Sequence, residues 1–148
     1  MKVALGCDHG GFSLIDPIRE AIAELGDEVL ELGVCQPEAV DYPDVAATVC
    51  RAIQAGLADA GILVCGTGIG MSMAANKMRG IRAARAEDCY SASMARLHNG
   101  AQVLTMGGRV TGPGLAREVV MAFLSTDVSG DERHCRRRDK IMALEDEA

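Results

Sequence analysis

The sequence predicts an α/β fold: an open, mostly parallel, doubly wound sheet of five strands with helices on both faces, an αβα sandwich of three layers. Three observations predict it. Short apolar runs alternate with amphipathic stretches along the chain, the order that βα units and their right-handed crossovers require. The run Gly61-Ile62-Leu63-Val64-Cys65 is apolar without interruption, as a strand buried on both faces must be. Aromatics are scarce, with two Phe, two Tyr and no Trp, so the core has to be assembled from Ala, Val, Ile, Leu and Met.

Each element follows in order. Lys2 to Cys7 reads as the first strand, and Leu14 to Leu25 as a helix stopped by Gly26. Val29 to Gly33 is the second strand. A loop with Pro37, Asp41, Tyr42 and Pro43 leads to a helix from about Asp44 to Ala55. The central strand, Gly61 to Cys65, precedes a short helix from Gly70 to Lys77. Ile81 to Ala86 is a strand, Asp88 to His98 a helix, and Gln102 to Met106 the fifth strand. Leu115 to Leu124 forms a helix after the Gly112-Pro113-Gly114 turn. The last segment, Arg133 to Glu147, is a helix whose apolar anchors are few, Ile141, Met142 and Leu144, so it is expected to pack on a neighbouring subunit.

At 148 residues the chain is one domain, spanning 1–148. A formal charge of −6 argues against nucleic acid or an anionic membrane as the main partner. The start lacks the apolar region of a signal peptide, and no apolar stretch is long enough to span a bilayer. A soluble, cytoplasmic protein is the expectation. The cysteines at 7, 35, 50, 65, 89 and 135 show no C-x-x-C or zinc-ribbon spacing, and most read as reduced, buried thiols.

In open α/β sheets ligands bind beyond the carboxyl ends of the strands. Three of the loops there carry unusual residues. The first holds Cys7-Asp8-His9-Gly10-Gly11, the third Cys65-Gly66-Thr67-Gly68-Ile69-Gly70, and the fifth Met106-Gly107-Gly108-Arg109. Alternating glycines at 66, 68 and 70 leave backbone N–H groups able to converge on an anion at the start of a helix. A thiol at the edge of such a loop could serve as nucleophile or base. The same pattern also fits a buried strand end followed by a tight turn. The spacing lacks the G-x-G-x-x-G of a dinucleotide site and the Gly-Lys-Ser/Thr of a P-loop, so no nucleotide cofactor is expected. No arginine follows Cys65 at the distance a thiol phosphatase needs. The Asp8/His9 pair has no second cluster at ligand spacing, so no metal is expected either. His98, before Asn99-Gly100, stands at a helix end where capping and catalysis are both open. In the basic run from Arg133 to Arg138, Arg133 and Arg137 are four apart and share a helix face that suits a phosphate, whereas Arg136 and Arg138 read as solvated charges.

Taken together, Gly6-Cys-Asp-His-Gly-Gly-Phe12, Asp41-Tyr-Pro43, Cys65-Gly-Thr-Gly-Ile-Gly70, Ala74-Ala-Asn-Lys77, Gly80-Ile-Arg-Ala83, His98-Asn99, Gly107-Gly-Arg109 and the Arg133/Arg137 pair resemble the type B ribose-5-phosphate isomerases. The wider family includes galactose-6-phosphate isomerase subunits, and the match runs in order along essentially the whole chain. The resemblance implies a Rossmann-like sandwich and a homodimer, or a tetramer built as a pair of dimers, with the pocket shared between subunits. It implies aldose–ketose isomerisation of ribose 5-phosphate and ribulose 5-phosphate, without a cofactor. By the same resemblance Cys65 moves the proton between C1 and C2, Thr67 assists, and the amides from Gly66 through Gly68 to Gly70 hold the enediolate oxygen. Asp8 and Tyr42 would meet the sugar, His98 would open the ring and Asn99 would hold the substrate. His9, Arg109, Arg133 and Arg137 would surround the phosphate. One branch of the family carries a glutamate base where this chain has Met71, which cannot take a proton, so the cysteine branch is implied. Two alternatives stay open: an isomerase of a six-carbon or four-carbon sugar phosphate, and a non-catalytic sugar-phosphate-binding subunit.

Overall fold

The computed structural model describes residues 1–33 and 39–147. Cys35 and Pro37 lie outside the described residues. Five strands form one all-parallel sheet: β1 Lys2–Cys7, β2 Glu28–Glu31, β3 Ala60–Cys65, β4 Ala83–Arg85 and β5 Val103–Gly107. Their order across the sheet is β2-β1-β3-β5-β4. The helices are α1 Ile15–Glu24, α2 Tyr42–Gln54, α3 Ile69–Ala75, α4 Cys89–Leu97, α5 Pro113–Leu124 and α6 Glu132–Ala143, with short 3-10 turns at Phe12–Leu14 and Leu144–Asp146.

The predicted sandwich is present, and strand alternation explains its two cores. Val3, Leu5, Ile62 and Val64 point to one face, where Ile18, Ile22, Val119 and Phe123 from α1 and α5 and Ala92 and Ala95 from α4 cover them. Ala4, Leu63, Cys65 and Val103 point to the other, under Val49 and Cys50 of α2 and Met71 and Ala75 of α3. Met71 is therefore a core side chain.

Some boundaries differ from expectation. Tyr42 and Pro43 belong to the first turn of α2 rather than to the loop, because proline is compatible with a helix start. β4 is shorter than Ile81 to Ala86. Gln102 takes over its amino end, its side-chain oxygen accepting the Arg82 N–H at 2.8 Å and its amide donating to the Gly80 carbonyl at 2.9 Å. The last helix begins at Glu132, and α6 lies outside the two layers; within it only His134 is buried, while Ile141 and Leu144 are exposed. Among the described residues no helix is long and apolar enough to cross a membrane.

Candidate active site

The strand order places β1, β3 and β5 side by side, so the three loops singled out in the sequence leave the sheet as neighbours. They are bonded to one another. The Asp8 N–H donates to the Val64 carbonyl at 3.1 Å, Gly108 N–H to the Cys65 carbonyl at 2.8 Å, and Arg109 N–H to the Gly66 carbonyl at 3.0 Å. Such close approach excludes side chains, most tightly at Gly11 and Gly108. A Cβ on Gly11 would stand 2.4 Å from the Val64 carbonyl oxygen, and one on Gly108 2.3 Å from that of Gly10.

Cys65 ends β3, and its thiol is buried at 5 % exposure. The Gly68 N–H donates to Cys65 Sγ at 3.1 Å. The loop can turn back on the sulfur because Gly68 takes a positive φ of 77°. Gly68 is held from below by Thr105, whose buried hydroxyl donates to the Gly68 carbonyl at 2.9 Å. Thr67 is exposed, with its hydroxyl accepting the Ile69 N–H at 3.3 Å. Two amides of the expected anion hole are thus directed at protein side chains. Asp8 is 7 % exposed and accepts the Gly10 N–H at 2.8 Å, while His9 beside it faces solvent. The Arg109 guanidinium lies over Gly66, where a Cβ would be 3.2 Å from Nη1. The Tyr42 ring lies against Gly70, with 2.7 Å between a Cβ there and the ring. Cys65, Thr67, Gly66, Gly68, Gly70, Asp8, His9, Tyr42 and Arg109 are therefore brought together at the carboxyl edge.

The remaining predicted residues stand at the opposite edge. His98 caps the carboxyl end of α4 and Asn99 precedes the left-handed Gly100, so both lie where the chain enters β5 from below. Gly61 pairs with Val103 and Cys65 with Gly107, so roughly 13 Å of strand separates this edge from the thiol. That is farther than the His98 and Cys65 side chains can bridge within one chain. The edge is tied to α6. Arg138 donates to the His98 carbonyl at 3.3 Å and to the Ser129 carbonyl at 3.0 Å, and Arg82 donates through Nε to the Asn99 carbonyl at 2.9 Å. Arg133 and Arg137 are exposed on the same helix. The four groups expected to surround a phosphate divide two and two between the edges.

Three residues here were not singled out. Arg138, read in the sequence as a solvated charge, is half-buried and fastens α6 to α4. Arg82 is half-buried against the Gly100 carbonyl. His134 is 5 % exposed and stacks on His98, the ring centroids 4.2 Å apart and the planes within 6°. Burial, and then the charges of His98 and Arg133, hold the His134 imidazole below its ordinary range. The i, i+4 spacing of His134 and Arg138 was the available signal, since both point to one face of α6.

Of the other thiols, Cys7 and Cys50 are buried, and Cys89 and Cys135 are only partly so. Burial pushes the Cys50 thiol up to about 11. Among the described residues no group of three or more His, Cys, Asp or Glu is placed to hold a metal ion.

Residues 3–141 match the Ribose/Galactose Isomerase family. The chain is 45% identical over 144 residues to ribose-5-phosphate isomerase B of Escherichia coli, covering 97% of this chain and 96% of that one. It is 43% identical over 131 residues to D-erythrulose-4-phosphate isomerase of Pectobacterium atrosepticum, covering 88% and 86%. Among solved structures, type B ribose 5-phosphate isomerase of Trypanosoma brucei superposes with a TM-score of 0.93 at 51% identity, with 97% of each chain covered.

Proposed function

The chain belongs to the ribose/galactose isomerase family, and on that premise we propose that this sugar-phosphate isomerase interconverts ribose 5-phosphate and ribulose 5-phosphate with Cys65 as its base. The observation that carries the proposal is the Cys65 sulfur, set at the end of the central strand and met by the Gly68 N–H at 3.1 Å beside Asp8 and Arg109. A sulfur held at this point among the loop amides is the atom that takes the proton from carbon.

The open-chain aldose binds with C2 facing Cys65. The thiolate removes the C2 proton, the electron pair forms the C1–C2 double bond of the enediolate, and the charge moves onto O1. Amides of the 66–70 loop not directed at Cys65 or Thr67 stabilise that oxygen, and Thr67 assists the proton exchange between O1 and O2. The thiol then returns the proton to C1, and the ketose results. Asp8 and Tyr42 hold sugar hydroxyls. The phosphate, being remote from the reacting carbons, supplies binding energy that positions them.

His98 opens the furanose and Asn99 holds the substrate, but both stand at the other edge of the sheet with Arg133 and Arg137. The division of these groups supports a shared site: in a homodimer, or a pair of such dimers, a second copy supplies His98, Asn99, Arg133 and Arg137 to the Cys65 of the first. His9 and Arg109 then complete the phosphate shell.

Solvent-deuterium exchange tests the reaction. Wild type should isomerise ribose 5-phosphate and exchange its C2 proton with EDTA present, and Cys65→Ala should lose both. A second reading, a four-carbon sugar phosphate, is favoured by the erythrulose-4-phosphate relative. Preference for that substrate by more than about tenfold in kcat/KM, about 1.4 kcal/mol, would replace the ribose assignment. Tight binding of the sugar phosphate without exchange would replace the isomerase reading by that of a binding subunit.

A further inference from the structure

The His98 ring lies flat on a second imidazole. Its centroid is 4.2 Å from that of His134, and the planes differ by 6°. Ring pairs of this kind are held by dispersion and by the order of the surrounding packing. His134 is 5 % exposed, and α6 is fastened at the same corner by the Arg138 bonds to the His98 and Ser129 carbonyls. The χ2 torsion of a histidine is broad and roughly two-fold, so a ring at a helix end has little to fix its plane. A parallel neighbour anchored from another helix does fix it.

Charge favours the same arrangement. The groups facing His134 are His98 from α4, Arg133 and Arg137 from α6, and Asp131 from the segment entering α6. Burial and the three basic neighbours outweigh the single carboxylate and keep the His134 ring neutral. A neutral His134 ring stacks on His98 without charge repulsion.

The geometry points to His134 as a positioning residue for His98, fixing the ring plane from which His98 moves a proton during furanose opening. The inference rests on the ring-opening role given to His98 above. It predicts that furanose opening can be impaired separately from proton transfer at carbon. Ribose 5-phosphate closes into a furanose through O4 and must be opened. Ribulose 5-phosphate has its C5 oxygen esterified, cannot close a furanose through it, and needs no such help.

The experiment compares wild type, His134→Ala and His134→Phe in turnover of ribose 5-phosphate and in solvent-deuterium washout of the ribulose 5-phosphate C1 proton, alongside the NMR resonance of the His98 Cε1 proton, identified by its loss in His98→Asn. His134→Ala should lower kcat on ribose 5-phosphate roughly threefold to tenfold with KM unchanged. Washout of the C1 proton of ribulose 5-phosphate, which passes through the enediolate without a furanose, should fall less, and His134→Phe, which keeps a flat ring, should recover most of the loss. The His98 resonance should carry a ring-current shift in wild type and His134→Phe that His134→Ala lacks. Washout that falls as far as ribose 5-phosphate turnover, or a ring-current shift that survives in His134→Ala, would overturn the assignment. So would a raised KM at constant kcat, which would place His134 on the phosphate with its arginine neighbours. If wild type does not turn over ribose 5-phosphate, the substrate assignment fails instead, and the NMR comparison still decides whether His134 orients His98.

Discussion

Gly108→Ala tests the junction of the three loops. A Cβ at this position would stand 2.3 Å from the Gly10 carbonyl oxygen and 3.0 Å from the Gly11 Cα, where ordinary contact begins at 3.4 Å. The first and fifth loops would have to part by about 1 Å to relieve it. Both opposing atoms are backbone, so no change of rotamer helps, and the Gly108 N–H is itself fixed on the Cys65 carbonyl at 2.8 Å. Overpacking of this kind costs about 1–3 kcal/mol. For a domain of this size that lowers Tm by roughly 2–12 °C. Activity should fall further than stability suggests, because displacing Asp8, His9 or Arg109 by about 1 Å relative to the thiol costs on the order of 100-fold in kcat/KM. The assay is kcat/KM on ribose 5-phosphate with Tm from calorimetry. Gly114→Ala serves as the comparison, since nothing lies within 4 Å of a Cβ there and it sits in the first turn of α5. That variant should keep both values. Gly108→Ala with wild-type Tm and kcat/KM within about twofold of wild type would refute the claim that close backbone contact sets the site.

Other predictions follow from the same geometry. If two copies share each site, Cys65→Ala and His98→Asn should each be inactive on ribose 5-phosphate. Mixing equal amounts through reversible dissociation should then restore about one quarter of wild-type activity, because half the dimers are mixed and each has one intact site; no recovery, with mixed dimers shown to form, would mean that the two residues do not meet across an interface. Alkylation of the native protein at about pH 8, mapped by mass spectrometry, should leave Cys50 unmodified, since burial keeps it a thiol up to about 11; rapid labelling would contradict that burial. The pH dependence of stability should carry a contribution from His134. Its folded value lies below the ordinary 6.5, so as pH falls the unfolded chain binds the proton first. The stabilisation is full above about pH 6.5 and is lost progressively below it. His134→Phe should show a smaller drop in Tm between neutral and mildly acid pH, and an unchanged slope would count against a neutral buried ring.

Much of the carboxyl edge was legible because its signals are local. The uninterrupted run ending at Cys65, the alternating glycines and the Asp8-His9 turn announce themselves within a few residues, and the fold rule that ligands bind beyond strand ends supplies their common location. His98 was legible only as an alternative between a cap and a catalyst, and the structure shows it capping α4. Arg138 was misread because a charge run looks the same whether it meets water or two carbonyls. His134 gave almost no signal, since its partner is 36 positions away and on another helix. The edge strand β4 was overextended because apolar content does not reveal that a glutamine side chain will take the place of the ladder.

By itself the sequence determined the α/β class, the identity and order of the elements and which loops hold the candidate residues, since hydrophobic period and turn residues act over a few positions along the chain. Only the tertiary structure decided which strands are neighbours. The order β2-β1-β3-β5-β4 puts the first, third and fifth loops together and sends the end of α4, with α6, to the far edge. That choice depends on long-range packing of two apolar faces and on which helix covers which strand, quantities that no local window contains. It is also what divides the candidate site between two edges of one sheet.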